Sequence, residues 1–156
     1  MYQRIVVPLD GSRVAEQALP DATELARLLA VPLHLVRVVD PYLSEHGSLT
    51  GMFVDERAIA SAIREQDEVA QKYLEETAGR LGSDGQQVTI ETVRGHVDHS
   101  IVERTTKDDL LVLASHGRGG LQRWLLGSVA EKVIRHARSP VLLIRAKSTD
   151  EDDNGR

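Results

Sequence analysis

The chain has 156 residues, 41% of them hydrophobic, 28% charged and 3% aromatic, with a formal net charge of −5 and no cysteine. That length suits one domain with its own core, since chains usually divide beyond about 100–200 residues. The lack of cysteine excludes thiolate metal centres, thiol nucleophiles and disulfide frameworks, and the acidic balance gives no general attraction to nucleic acid or to anionic membranes.

Taken in chain order, strand-like and helix-like patterns alternate. Ile5 to Leu9 is a nearly all-apolar run, as expected of a parallel strand buried on both faces. Asp10-Gly11-Ser12 interrupts it, and Ser12 has the chemistry of a helix N-cap. Ala15, Ala18, Leu19, Ala22, Leu25, Ala26 and Leu29 then recur at helical spacing, with Pro20 inside the pattern, where its missing N–H should kink the helix. Leu33 to Val39 reads as a second strand. Asp40 to Val54 contains Pro41, Gly47 and Gly51 and has no period, so a loop or flap is expected. A long helix is predicted from Asp55 to Leu81, with Ile59, Ile63, Ala70, Leu74 and Leu81 on one stripe and a charged, solvated opposite face. Gly82-Ser83-Asp84-Gly85 stops it.

Gln87 to Val93 alternates as a strand, with Val88, Ile90 and Thr92 facing one way. After a turn at Gly95, a short helix is expected from Val97 to Lys107. Leu110 to Ala114 is a fully apolar strand that ends in the loop Ser115-His116-Gly117-Arg118-Gly119-Gly120. A helix opens at Gly127-Ser128 and carries Val129, Val133, Ile134 and Ala137. Ser139-Pro140 introduces the last strand, Val141-Leu142-Leu143-Ile144. The final ten residues hold four acids against two bases, so the expected division is a domain over 1–146 and an acidic, disordered tail over 147–156. Met1-Tyr2-Gln3-Arg4 shows no signal-peptide pattern, and no apolar stretch approaches the ~20 residues that span a bilayer, so a cytoplasmic location is expected.

Five strands with helices between them imply an α/β fold, a doubly wound, five-stranded parallel sheet of Rossmann-like architecture with helices on both faces. Ligands of such sheets bind at the carboxyl ends of strands, near the reversal of strand order. Two of these ends are unusual: Pro8-Leu9-Asp10-Gly11-Ser12, and Ala114-Ser115-His116-Gly117. Gly117, Gly119 and Gly120 let backbone amides approach an anion, and the helix opening at Gly127-Ser128 favours one too, with Arg118 and Arg123 nearby in sequence. The glycines alone indicate only a flexible loop. Neither the Walker pattern nor the dinucleotide G-x-G-x-x-G is present.

Other constellations carry less. His96 and His99 lack a third ligand and read as a solvated helix start. Ser115 and His116 are adjacent, so their side chains diverge, against a nucleophilic pair. Asp10 lacks the neighbouring acids of a metal-dependent phosphoacceptor, and His34, inside a strand, reads as a packed residue.

The motifs together resemble the universal stress protein family. Ile5 to Ser12 is similar to its opening strand and turn, Leu113 to Gly120 with Leu126 to Ala130 to its signature segment, and Ser139 to Ile144 to its closing strand. The resemblance covers Arg4 to Arg145 and implies the strand order 3-2-1-4-5. One branch of the family binds ATP through G-x-x-G-x(9)-G-[ST], and Gly117, Gly127 and Ser128 occupy its last positions, with Ala114 where the first glycine would stand. The resemblance implies Asp10 at the ribose or adenine end, Pro8 and Val38 framing the base, and Leu113, Ala114 and His116 near base and sugar. It puts Gly117, Gly127, Ser128 and Val129 around the phosphates. It further implies ATP accompanied by Mg2+ or Mn2+ and a role as sensor or regulator. No general base is evident beside the expected phosphates, so at most slow hydrolysis is expected. Val141, Leu142, Leu143 and Ile144 are expected at a sheet edge, and both that edge and the resemblance point to a homodimer through them. The alternative is a dimeric interaction protein of the same fold that binds no nucleotide.

Overall fold

The computed structural model describes residues 1–40, 56–83, 85–115 and 127–147. Their elements are β1 (Arg4–Pro8), α1 (Arg13–Glu16), α2 (Leu19–Leu29), β2 (Leu33–Val39), α3 (Glu56–Gly82), β3 (Val88–Arg94), α4 (Val97–Glu103), β4 (Asp109–Ser115), α5 (Ser128–His136) and β5 (Val141–Arg145). The five strands form one sheet in the order β3-β2-β1-β4-β5, and all four pairings are parallel. The chain winds outward from β1 to β3 and then returns to β4 on the other side of β1. The strand order therefore reverses between β1 and β4.

The period of two in a strand sends alternate residues to opposite faces, and here both faces are covered. Ile5, Val7, Leu33, Leu35, Leu110 and Val112 pack with Ala22 and Ala26 of α2 and Leu74 of α3. Val6, Val36, Val93, Leu111 and Leu113 pack with Ile101 of α4 and Val133 of α5. This is why β1 has no polar alternation, with Ile5, Val6 and Val7 at 0%, 1% and 0% exposure. The long α3 agrees with its sequence pattern, burying Ala70 and Leu74. Thr92 hydrogen-bonds Gln71 of α3, which puts it on the side expected beside Val88 and Ile90.

Three expectations change. Pro20 does not kink a continuous helix; the chain leaves α1 at Gln17, and Pro20 sits in the first turn of α2, where no intrahelical N–H bond is lost. The helix after Gly95 ends at Glu103, short of Lys107, because polar side chains take over the backbone there. Thr105 Oγ1 donates to the carbonyls of Ile101 and Val102 at 3.3 and 3.1 Å, while Asp109 Oδ2 accepts from the Thr106 N–H and hydroxyl at 2.8 and 3.1 Å. On α5 only Ala130 and Val133 are buried; Val129 and Ile134 stay exposed, and Ala137 lies beyond the helix in extended conformation. The expected flap, Asp40 to Val54, and the expected disordered tail, 147–156, lie outside the described residues except for Asp40 and Lys147. Lys147 is not free, its N–H donating to Gln17 Oε1 at 2.6 Å and its carbonyl accepting from Gln17 Nε2 at 2.9 Å.

A polar network closes the amino-terminal edge of the sheet. Buried Asp109 takes the Arg4 guanidinium at 3.1 Å, and Arg4 also donates to the Arg104 carbonyl at 2.8 Å. His34 is buried as expected of a packed residue, its Nδ1 2.8 Å from Thr89 Oγ1 and its Nε2 3.3 Å from Glu91 Oε2. Arg104 pairs with the other oxygen of Glu91 at 3.4 Å.

Candidate functional site

At the opposite, carboxyl-terminal edge the strands open into a cleft of about 890 Å³. It lies where the strand order reverses, the usual ligand position of open α/β sheets. Its first wall is the turn after β1. Asp10 Oδ1 accepts the Ser12 N–H at 2.8 Å, and Ser12 caps α1 by accepting the Ala15 N–H at 3.1 Å. Between them Gly11 has φ +86°, a left-handed conformation in which a side chain is strained. The turn leaves the Asp10 carboxylate exposed at the mouth of the cleft.

The second wall comes from β4 and α5. Leu113 and Ala114 line it from the end of β4, and Gly127, Ser128 and Val129 line it from the start of α5. Gly127 is the N-cap and makes no side-chain cap bond, so among the described residues the first-turn amides of this nine-residue helix have no capping side chain. Free amides and the positive end of the helix dipole there suit an anion. Pro8 and Val38 contribute apolar surface between the two walls, joined by Val97 and Ile101 of α4.

Eight of the ten residues singled out in the sequence thus line one cavity: Pro8, Asp10, Val38, Leu113, Ala114, Gly127, Ser128 and Val129. His116 and Gly117, with the rest of the glycine loop and Arg118 and Arg123, lie outside the described residues. His96 and His99 do not enter the cavity; His99 pairs with Glu103 at 3.1 Å on the surface. Among the described residues no group of three or more His, Asp or Glu is arranged to hold a metal ion.

The sequence reading missed several lining groups, chiefly Arg37 of β2, Asp40 after it, and Glu65 and Gln66 of α3. Arg37 had a signal, being the one charge in the otherwise apolar run Leu33–Val39 beside His34. Its guanidinium carbon stands 4.9 Å from the centre of the Tyr73 ring. The Tyr73 hydroxyl donates to Glu16 Oε1 at 2.8 Å, and Arg80 approaches the other oxygen of Glu16 at 3.6 Å. Burial, reinforced by the Glu16 carboxylate, pushes the Tyr73 phenol well above its ordinary range and keeps it protonated.

A sequence profile of the universal stress protein family matches residues 1–145. The chain belongs to the universal stress protein family. Among its relatives, universal stress protein MJ0531 of Methanocaldococcus jannaschii is 33% identical over 151 residues, covering 93% of this chain and 83% of that protein. Universal stress protein YxiE of Bacillus subtilis is 30% identical over 148 residues, covering 93% of this chain and all of that protein. The solved structure of the M. jannaschii protein MJ0577 superposes with a TM-score of 0.77 at 28% identity, covering 96% of this chain and 99% of that one. A universal stress protein from Archaeoglobus fulgidus, solved in complex with dAMP, superposes with a TM-score of 0.61 at 26% identity, covering 91% and 97% of the two chains. The five-stranded parallel sheet and its order are those of the family fold.

Proposed function

We propose that this universal stress protein binds ATP in the cleft and serves as a cytoplasmic stress-response sensor or regulator. The observation that carries the reading is the uncapped start of α5 opening onto a partly apolar cavity at the reversal of strand order. An anionic group fits the helix start and a flat apolar body fits between Pro8, Val38 and Leu113. The dAMP complex of the A. fulgidus relative supports a nucleotide as the ligand class. In this reading Asp10 meets the sugar or base, Leu113, Ala114 and His116 lie near base and sugar, and Gly117, Gly127, Ser128 and Val129 surround the phosphates. Mg2+ or Mn2+ is carried by the phosphate oxygens. The acids that line the described cleft, Asp10, Asp40 and Glu65, come from the ends of β1 and β2 and from α3, away from the α5 end. That supports a binding role with at most slow hydrolysis, since a general base must reach the attacking water.

Denaturing the purified protein and chromatographing the released small molecules should yield an adenine nucleotide. Titration calorimetry on the emptied protein, with Mg2+ or Mn2+ present, should show ATP binding; no heat from ATP, AMP or adenosine at millimolar ligand would leave only the dimeric interaction protein.

The homodimer reading is supported by β5, the last strand of the sheet, with its backbone edge unpaired among the described residues and Leu143 38% exposed. In this reading Val141, Leu142, Leu143 and Ile144 form the interface. Sedimentation of Ile144→Asp should give a monomer, and an unchanged dimer puts the interface elsewhere.

A further inference from the structure

The least explained group in the cleft is Arg37. An ideal Cβ built on Gly11 would lie 3.3 Å from each terminal nitrogen of Arg37 and 3.5 Å from its central carbon. The absence of a side chain at position 11 therefore leaves room for the guanidinium, and any Cβ there would crowd its two terminal nitrogens. The Tyr73 ring, fixed by Glu16, lies against the same side chain. Arg37 is half-buried with the Tyr73 ring against it, yet among the described residues no acceptor meets its N–H groups and no carboxylate pairs with it. A guanidinium carries five N–H donors in a planar fork. Those donors belong to a side chain that lines the cavity.

Across Gly11 stands Asp10, whose Oδ1 is taken by the Ser12 N–H and whose Oδ2 has no donor among the described residues. The turn therefore presents an acceptor and a donor on its two sides, and the two groups do not pair with each other. A sugar hydroxyl is both donor and acceptor, so a vicinal diol matches such a pair, whereas a phosphate offers only acceptors and would be repelled by Asp10. The anion-favouring start of α5 belongs to β4's side of the cleft, while Arg37 belongs to β2 on the far side of β1.

We infer that Arg37 is a specificity-determining residue that donates to the ribose hydroxyl oxygens of the bound nucleotide while Asp10 accepts from them. The inference rests on the nucleotide reading of the cleft. It makes the site selective for ribonucleotides over their deoxy counterparts. It also explains why a tyrosine outside the cavity is tied down by a carboxylate: Tyr73 is a positioning residue for the guanidinium.

The test is calorimetry with ATP, adenosine and 2′,3′-dideoxyadenosine on the wild type, Arg37→Met, Arg37→Lys and Tyr73→Leu, with thermal melts to confirm folding. The wild type should prefer adenosine to the dideoxy compound. Arg37→Met should weaken ATP and adenosine alike by about ten- to hundredfold, as expected for losing a charge-assisted hydrogen bond, and leave the dideoxy compound unaffected. Arg37→Lys should restore part of the preference, and Tyr73→Leu should reduce it without abolishing binding. Loss of ATP with adenosine unchanged would assign Arg37 to the phosphates and overturn the inference. So would equal weakening of adenosine and its dideoxy form, or no change in any ligand. A wild type that binds ATP or adenosine while Arg37→Met binds it equally well removes this inference alone; a wild type that binds neither removes the nucleotide reading and this inference together.

Discussion

The two ends of the sheet carry similar side chains put to opposite uses. At the amino-terminal edge Arg4, His34, Glu91, Arg104 and Asp109 consume one another's donors and acceptors, along with the Arg104 carbonyl and the Thr106 turn. At the carboxyl-terminal edge Asp10, Arg37 and the first turn of α5 are positioned by Ser12, by Tyr73 and by the helix itself, but among the described residues each keeps hydrogen-bonding capacity unspent. A satisfied buried network contributes to stability and is costly to breach. Positioned groups with unspent capacity instead mark a place where a ligand completes the bonding. Residue type alone does not separate the two ends; the number of partners does.

The largest effect should come from breaching the closed end. Asp109 is 2% exposed and holds Arg4 and the Thr106 turn, so Asp109→Ala strips several bonds at once. It should cost about 3 kcal/mol in denaturant unfolding, the low end for a broken buried pair because Arg4 is partly exposed, with ATP affinity of the folded fraction unchanged. A large loss of affinity would show that the two ends are coupled. The open end should behave in reverse. Ser128→Ala should lower ATP affinity about ten- to hundredfold while moving stability by less than about 0.5 kcal/mol, and adenosine titration should not detect it. Equal losses for ATP and adenosine would move the phosphates away from α5.

A smaller effect separates the ends by pH. Burial, with Arg4 adding to it, holds His34 below its ordinary 6.5, and outweighs the opposing pull of Glu91 and Asp109. The unfolded chain then binds more protons than the folded one, so this contribution is complete above pH 6.5 and is lost as the pH falls from there toward the folded value. Urea midpoints measured from pH 7.5 to about 5 should fall, and His34→Gln should flatten that slope. A wild-type curve as flat as the variant's would mean that His34 titrates normally. The smallest effect is expected from deleting residues 148–156, which contain no large apolar residue and cluster Asp150, Glu151, Asp152 and Asp153. Melting temperature and ATP affinity should both stay put, and a clear drop in melting temperature would show that the tail docks.

Much of this molecule can be read locally. The apolar runs of β1, β2 and β4 and the alternation of β3 were legible because burial on two faces or one leaves a direct imprint on composition. The Ser12 cap and the helix start at Gly127-Ser128 were legible because capping chemistry acts over three or four residues. The misreadings lie where distant groups intervene. Helix α4 looked longer because its termination depends on Asp109, which reaches back to Thr106 while anchored by Arg4 from another strand. Ala137 was read as part of the last helix, but it lies beyond His136 in extended conformation, which the local spacing does not reveal.

The residues by themselves determined the five strands, the alternation of strand with helix, the parallel sheet and two strand ends at which chemistry was expected, since each follows from periodicity, turn chemistry or charge within a short window. Which charges are spent and which are held open was decided only by the folded chain. Residues 11, 37 and 73 belong to a turn, a strand and a helix that meet because the right-handed crossovers lay α3 over β2 and set β2 beside β1. No window of sequence contains that meeting. Arg37 is an interruption in an apolar strand when read along the chain, and a cleft-lining donor without an acceptor among the described residues when read in space.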